Sequence, residues 1–324
     1  MRAVWVEQLM EPEALCVVDI ESPRAASGEV VIDVRAAGCN FSDVLMLKGK
    51  YQVKPDLPFV PGGEVAGVVC EIGGQVDGFE IGDRVLSRCA LGGFAERVAA
   101  PSATTYRMPN ELSFEQGAAM PTVYPTSYAA LLWRARLRAG ETLLVHAAAG
   151  GVGLAAVQIG KALGAHVIAT AGGRDKLEIA RAAGADVLID YREEDFVSTV
   201  MDATDGRGAD VIYDSVGGET TDRSLKCINW NGRLLVIGFA SGTIPEIKLN
   251  RVLLKNISVV GLHWSAYPDR EPERMDECFE GLFEMSRAGH ISPLVSKSYP
   301  LEEAGRALAA LRSRKTVGKV VLVP

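Results

Sequence analysis

The stretch LLVHAAAGGVGLAAVQIGKALGAHVIAT, residues 143–170, decides the fold. An apolar run at 143–145 is followed by a turn of small residues, a helical pattern over 152–163 and a second apolar run at 166–170. A strand, a turn, a helix and a strand within about 30 residues have the length of a βαβ unit. The sequence therefore predicts a nucleotide-binding framework of parallel strands and helices.

The turn in this stretch, residues 147–153, reads AAAGGVG. Glycines let backbone N–H groups approach a pyrophosphate, and the start of the helix supplies partial positive charge. Ala147 stands where the G-x-G-x-x-G pattern has its first glycine, so the glycines alone are a weak signal and the flanking elements carry the prediction. The alternative is a glycine-rich strand-to-helix turn that binds no ligand.

The residues after the second apolar run indicate which cofactor is bound. NAD-specific sites end this strand with an Asp or Glu that accepts hydrogen bonds from the ribose hydroxyls. Here that position is 170–172, without a carboxylate; Gly173, Arg174 and Lys176 come next, and Tyr191 follows the third apolar run. A pocket without acids and edged by cations suits the 2′-phosphate of NADP. The sequence therefore favours NADPH, while Lys176 also fits a solvated position in a helix's first turn.

Composition excludes several classes of function. The chain has 324 residues, of which 48% are hydrophobic and 23% charged, and its net charge is −7. We expect two domains and no nucleic-acid partner, because no basic cluster could neutralise the phosphates of a duplex. Without a signal peptide or a run of 18 apolar residues, we expect no membrane span and a cytoplasmic location. The six cysteines lack C-x-x-C spacing and are expected to be free thiols.

Patterning divides the chain into three parts. Residues 1–122 contain short β-prone runs separated by turns, which predict a mostly β, partly open barrel. Alternation of strands and helices over 123–263 predicts an α/β domain with a doubly wound parallel sheet of the Rossmann type. The tail, 264–324, is too short for a core of its own, so we expect it to complete the barrel domain. The Rossmann domain would then be an insertion.

Motifs along the whole chain resemble one family. They are NFSD at 40–43, GGEVAGVV from 62, IGDRV from 81, HAAAGGVG from 146, IDYREEDF from 189, YDSVGG from 213 and VGKVVLVP at the end. Together they resemble the zinc-free, zeta-crystallin-like quinone oxidoreductases of the medium-chain dehydrogenase/reductase superfamily. The resemblance implies a Rossmann domain inserted into a GroES-like barrel, an NADPH cofactor, and a homodimer formed through the Rossmann edge strand near 255–261.

The resemblance also bears on metal and catalysis. Zinc enzymes of the superfamily carry Cys and His where this chain has Asn40 and Gly63, so no metal is expected. Asn40 and Thr126 are expected beside the nicotinamide, and Tyr51 matches a cleft tyrosine that is a candidate proton donor. The alternatives are a turn residue for Asn40, a helix N-cap for Thr126 and an aromatic residue that packs a loop for Tyr51.

The same resemblance implies the cofactor contacts. They are Gly150, Gly151, Val152 and Gly153 for the pyrophosphate, Gly173, Lys176 and Tyr191 around the 2′-phosphate, Ser215 on the adenosine side, Phe239, Ala240 and Ser241 at the nicotinamide carboxamide, and Arg314 and Lys319 from the tail.

Three functions are compatible with these features. A quinone accepts hydride directly, so the first is an NADPH-dependent quinone reductase acting on a small-molecule acceptor without metal. The second is a 2-enoyl thioester or enone reductase, for which Arg134, Arg136 and Arg138 would supply a basic entry patch. The third is a non-catalytic NADPH-binding protein. Aromatic residues within 263–267 would either stack on a flat quinone or cover the sheet edge.

Overall fold

The computed structural model describes every residue from Met1 to Pro324. The strands, in chain order, are β1 (Arg2–Trp5), β2 (Cys16–Asp19), β3 (Glu29–Cys39), β4 (Val65–Ile72), β5 (Arg84–Ser87), β6 (Arg97–Pro101), β7 (Thr105–Arg107), β8 (Thr142–Val145), β9 (His166–Ala171), β10 (Val187–Asp190), β11 (Ala209–Asp214), β12 (Ile228–Val236), β13 (Ser258–Gly261), β14 (Val295–Pro300) and β15 (Lys319–Val323).

The helices, in chain order, are α1 (Phe41–Leu47), α2 (Phe114–Ala118), α3 (Val123–Tyr128), α4 (Gly151–Ala162), α5 (Arg174–Ala182), α6 (Phe196–Ala203), α7 (Glu219–Ser224), α8 (Leu249–Leu254), α9 (Tyr267–Arg270), α10 (Glu273–Arg287) and α11 (Ala304–Arg312). A π-helical segment, Ala129–Arg134, continues α3. None of these helices has both the length and the apolar character needed to cross a bilayer.

The chain forms two compact units, Met1–Thr122 with Ser292–Pro324, and Val123–Ile291. The first unit holds a seven-stranded sheet in the order β14-β15-β3-β4-β5-β7, with β6 also paired to β3. Strand β3 is antiparallel to β4, β6 and β15, so it lies at the centre of the unit. Side chains such as Ile32 and Val69 are fully buried in its core. Strand β15 brings the end of the chain beside residues near position 40.

The second unit holds a six-stranded parallel sheet in the order β10-β9-β8-β11-β12-β13. The order reverses between β8 and β11, and ligands of such sheets bind at the carboxyl ends of the strands at this switch point. Leu144, Ile168 and Ile212 are fully buried in the core beneath it. The doubly wound Rossmann fold class predicted from the sequence is therefore confirmed.

The second boundary between the units differs from the predicted one. Residues 264–291 were expected to complete the barrel, but they pack within the second unit. The ring of Tyr267 lies 5.5 Å from that of Trp133. A Cβ added to Gly281 would lie 2.6 Å from the hydroxyl of Tyr128, so α10 and α3 are in close contact. The spacing of apolar residues in α10 predicts an amphipathic helix, but this spacing does not identify the surface on which the helix packs.

Candidate active site

The turn between β8 and α4 allows backbone to approach a ligand. Gly150 is the N-cap of the 12-residue helix and has no side chain to cap the first N–H groups, which lack intrahelical acceptors. A Cβ added to Gly153 would lie 2.3 Å from the carbonyl oxygen of Ala147, so only glycine fits there. The residues expected at the pyrophosphate, Gly150 and Gly153 with Gly151 and Val152 between them, thus form the positive end of α4.

A buried histidine directly before this turn is hydrogen-bonded to two neighbouring elements of the second unit. His146 is 1% exposed. Its Nδ1 lies 3.0 Å from Thr170 Oγ1 and its Nε2 2.8 Å from Ser224 Oγ. Burial lowers the pKa of the imidazole below its ordinary value of 6.5, so the ring is neutral at pH 7. His146 therefore connects the ends of β8 and β9 with α7, a role that its isolated position in the sequence did not indicate.

Two cations lie where a 2′-phosphate is expected. A Cβ added to Gly172 would lie 2.7 Å from the Tyr191 hydroxyl and 2.8 Å from Arg192 Nε, so both side chains cover this glycine. Burial, and then the charge of Arg192, lower the pKa of Lys176. Because the two cations repel each other, an anion bound near both would be stabilised. Lys176, Tyr191 and Gly173 are thus brought together, and this cradle fits the phosphate of NADPH.

Arg192 belongs to this cluster but was missed by the sequence analysis. The available signal was its position directly after Tyr191, beyond the end of β10. Its backbone N–H and that of Gly173 donate to the two carboxylate oxygens of Asp190, at 3.1 and 3.0 Å. Asp190 therefore ties together the loops that follow β9 and β10, and Arg192 is held at the edge of the cradle.

The loop after β11 is fixed by Asp214, which is 3% exposed. Its Oδ1 accepts N–H bonds from Val216 and Gly217 at 2.8 and 2.9 Å, and its Oδ2 accepts a bond from the Thr221 hydroxyl. Ser215, expected on the adenosine side, is also buried, and its hydroxyl donates to the carbonyl of His146 at 3.4 Å. Hydrogen bonds within the second unit therefore hold the loop in this conformation.

Residues 239–241, which were expected to contact the nicotinamide carboxamide, are hydrogen-bonded to the loop after β11. The N–H groups of Ala240 and Ser241 donate to the carbonyls of Ser215 and Val216, at 3.1 and 2.8 Å. Both groups are therefore already used within the unit, while the side chain of Phe239 is 37% exposed. The predicted carboxamide contact would have to come from other groups of this loop, and it stays a prediction.

Asn40 lies in the first unit, at the N-terminus of α1. Its side chain does not cap this helix; instead Nδ2 donates to Glu64 Oε1 at 2.7 Å, and Oδ1 accepts from Lys319 Nζ at 2.7 Å. Asp43 accepts the backbone N–H of Asn40 at 2.7 Å, and burial raises the pKa of this carboxyl to about 7. Asn40, which is half-buried, forms one polar cluster with the buried residues Asp43, Glu64 and Lys319. Of these four, the sequence analysis had assigned a role only to Asn40 and Lys319.

Tyr51, Arg314 and Thr126 were also predicted to be site residues. Tyr51 packs at the edge of the first unit's core, and burial raises the pKa of its phenol. Arg314 is exposed beyond the end of α11, with a φ of 57°. Thr126 lies in the second unit, inside α3, so its alternative as an N-cap is wrong. The helix begins earlier than predicted because Pro125 falls within its first turn, where a missing N–H costs no hydrogen bond.

The resemblance places Asn40 and Gly63 at the zinc-ligand positions of the related enzymes. No three side chains among the His, Cys, Asp and Glu residues are grouped so that they could hold a metal ion. The ammonium of Lys319 lies 2.7 Å from Asn40 Oδ1, so a lysine side chain supplies positive charge next to Asn40.

Comparison with known proteins identifies the family. Residues 26–110 match the alcohol dehydrogenase GroES-like domain, and residues 151–280 match the zinc-binding dehydrogenase family. The quinone oxidoreductase-like protein 2 homolog of Nematostella vectensis is 41% identical over 99% of this chain and 88% of its own. The chain belongs to the quinone oxidoreductase branch of the medium-chain dehydrogenase/reductase superfamily. The resemblance drawn from the sequence motifs is thus confirmed.

Two solved structures of this family are similar over the whole chain. The Escherichia coli quinone oxidoreductase complexed with NADPH has a TM-score of 0.92 and 34% identity, with 100% of both chains covered. A mycobacterial protein complexed with NADPH has a TM-score of 0.93 and 34% identity, also with 100% of both chains covered. Fold and sequence therefore agree along the entire length.

Proposed function

We propose that this protein is an NADPH-dependent reductase that transfers hydride to a quinone, or to a similarly electron-poor acceptor, without a metal ion. The observation that carries the proposal is its end-to-end similarity to quinone oxidoreductases, including one solved with NADPH. The glycine-rich turn and the Lys176–Arg192 pair support the same cofactor, because they fit a pyrophosphate and a 2′-phosphate respectively.

The reaction needs few groups from the protein. Bound NADPH supplies the hydride. One hydride and one proton convert a quinone to a hydroquinone, so an electron-poor acceptor needs orientation and a donor at its carbonyl oxygen. Asn40 has a second amide N–H besides the one given to Glu64, and we assign it this donor role.

Proton delivery is assigned to Tyr51. Because burial raises the pKa of its phenol above the ordinary value of 10.0, the hydroxyl keeps its proton at neutral pH and can donate it to a stronger base. Thr126 and the loop at 239–241 are assigned to the nicotinamide by the family resemblance, and Arg314 remains a candidate cofactor contact from the tail.

The acceptor is tested by NADPH oxidation with chelator-treated protein, using 1,4-benzoquinone and crotonyl-CoA in parallel. We expect turnover with the quinone and a loss of about 100-fold in kcat for Asn40→Ala, with Asn110→Ala, an exposed asparagine of the same unit, as the control. Faster turnover with the thioester would assign the protein to the enoyl reductases, for which Arg134, Arg136 and Arg138 are exposed. NADPH binding without turnover would support a non-catalytic role.

We also propose that the protein is a homodimer. Strand β13 is an edge of the six-stranded sheet and pairs only with β12. Close to it along the chain, α8 buries none of its residues, and Leu249, Leu253 and Leu254 are 79%, 76% and 68% exposed. Apolar side chains beside an unpaired strand favour association with a second copy.

The six free cysteines support a reducing compartment such as the cytoplasm.

A further inference from the structure

Lys319 is buried, although it was expected to contact the cofactor. Its side chain is 5% exposed, and its Nζ lies 2.6 Å from Oε1 of Glu64, which is 0% exposed. Nζ also donates to the carbonyl of Cys39 at 2.8 Å and to Asn40 Oδ1 at 2.7 Å. An ammonium has three donors. All three are used inside the first unit, so none is left for a phosphate.

Both oxygens of the partner carboxylate also accept hydrogen bonds within the first unit. Glu64 Oε1 accepts from Lys319 and from Asn40 Nδ2, while Oε2 accepts the N–H of Thr122 at 2.7 Å. A Cβ added to Gly38 would lie 2.5 Å from Oε1, so the carboxylate is packed closely against β3. The ion pair is therefore a fixed part of the barrel.

This pair allows only one orientation of the Asn40 amide. Lysine only donates hydrogen bonds and a carboxylate only accepts them, so Oδ1 must face Lys319 and Nδ2 must face Glu64. The ammonium at Oδ1 withdraws electron density from the amide, which strengthens the remaining N–H as a donor. The group left for a substrate is thus a polarised N–H with a fixed direction.

We propose that Lys319 is a positioning residue, not a cofactor ligand, and that it acts through Asn40 by fixing and polarising the amide that holds the acceptor's carbonyl oxygen. This inference rests on the proposed function, because it assumes that Asn40 contacts the acceptor. The ligand class it implies is an acceptor with a carbonyl oxygen conjugated to the position that receives hydride.

The test compares Lys319→Met with Lys315→Met, an exposed lysine of the same tail. The dissociation constant for NADPH, measured by fluorescence titration, needs no acceptor; we expect it to change less than about threefold for Lys319→Met. With the acceptor that the wild type reduces, we expect kcat to fall about 10–100-fold, since misplaced catalytic groups cost this much. Weakening of NADPH binding by about tenfold or more would overturn the inference, because it would make Lys319 a cofactor ligand.

A double-mutant cycle separates this role from a general structural one. If Lys319 acts through Asn40, then Lys319→Met should lower kcat less than about twofold in an Asn40→Ala background. Multiplicative losses would overturn the inference.

If Lys319→Met does not fold, Lys319→Arg takes its place, because arginine keeps the charge but cannot reproduce the three short bonds. A positioning role predicts a lower kcat for this variant with unchanged NADPH binding. A retained kcat would contradict that role. Failure of the wild type to reduce a quinone would reject the proposed acceptor, while the binding measurement still tests Lys319.

Discussion

Lys176 and Arg192 are two cations close enough for the charge of one to affect the other. The charge of Arg192 contributes to the lowered pKa of Lys176, after burial. Asp190, the acid at the end of β10, is already bonded to backbone N–H groups of Gly173 and Arg192. A 2′-phosphate would add charge-assisted hydrogen bonds that a ribose hydroxyl cannot replace. We therefore propose that these two side chains discriminate between NADPH and NADH.

We predict that Lys176→Ala and Arg192→Ala each raise the dissociation constant for NADPH about tenfold or more, since a hydrogen bond to a charged group is worth about 1.5–3 kcal/mol. NADH binding should change less than about twofold, because it has no 2′-phosphate. Fluorescence titration with both cofactors measures this. Arg181→Ala is the control, because Arg181 is exposed near the end of the same helix and pairs with Glu178. Equal weakening of NADPH and NADH would contradict this description of the site.

The sequence predicts one cation of this pair and not the other, for a physical reason. Lys176 follows a strand end that lacks an acid, a pattern with a known electrostatic meaning. Arg192 reaches the same place from β10, and only the fold brings that strand beside β9. The case of Lys319 is similar: its 279-residue separation from Asn40 gives no local pattern from which their hydrogen bond could be inferred.

His146 predicts a pH dependence of stability. Its pKa is lowered in the folded protein, so below about pH 6.5 the unfolded chain binds the proton more readily. Its contribution to stability is therefore present above this pH and is lost as the pH falls, by up to about 1.4 kcal/mol per pH unit. Asp43, whose pKa is raised from 3.8 to about 7, acts in the opposite direction because the folded state holds its proton more tightly.

We therefore expect His146→Gln, which can still donate and accept hydrogen bonds, to lose less stability than the wild type between pH 7 and pH 5. Urea unfolding at both pH values gives the two free energies. The difference between variant and wild type cancels the contribution of Asp43, which is present in both proteins. An identical pH dependence in the two proteins would show that His146 does not titrate as its burial requires.

At the scale of elements, the β8–turn–α4 unit depends on close contact between a helix and the turn before it. A Cβ at Gly153 would lie 2.3 Å from Ala147 O and 2.8 Å from Ala148 Cα. Both atoms belong to the backbone, and Ala147 already has a φ of 50°. The turn therefore cannot yield to a methyl group without moving the N–H groups at the start of α4.

Gly153→Ala should lower the free energy of unfolding by about 1–3 kcal/mol, the usual cost of overpacking. It should also weaken binding of NADPH and NADH alike, since both carry the pyrophosphate. Thermal unfolding and cofactor titration are the measurements. The control is Gly74→Ala, because a Cβ there meets nothing within 4 Å and its φ is not positive. Binding at wild-type strength by the Gly153 variant would argue against a pyrophosphate at this turn.

Elements were predictable where a local pattern determines them. The apolar runs of β8 and β9 and the glycines between them fix the nucleotide-binding fold class, and the structure agrees. The partner of α10 was not predictable. Its buried side chains, such as Phe279 and Leu282, are compatible with either unit, and only contacts such as Gly281 with Tyr128 assign it to the second.

At the scale of the whole molecule, the chain begins and ends in the same unit. Strand β15 lies between β14 and β3, and Val320, Val321 and Leu322 are fully buried. The last residues of the chain are therefore part of the core and also supply Lys319. The first unit cannot be complete until the second, which lies between its two segments, has been synthesised.

Of the two edge strands of the second unit's sheet, β10 and β13, we propose that β13 pairs with another copy. Strand β13 has no partner beyond β12, and Val259 on it is 41% exposed. Two copies related by a two-fold axis could pair these edges, so that their sheets become continuous. Apolar residues of α8 would be covered in the same contact. We therefore predict a dimer for the wild type in sedimentation velocity experiments.

Val259→Lys should convert this dimer to a monomer, since a lysine at the middle of a paired edge would bring two like charges together. Leu57→Lys is the matched control, because Leu57 is 45% exposed but lies in the first unit; it should remain a dimer. Circular dichroism of both variants checks that the fold is intact. A monomeric wild type would reject the dimer, and a dimeric Val259→Lys would move the interface away from β13. Cofactor binding that is unchanged in a folded Val259→Lys monomer would further show that the nucleotide site is complete within one chain.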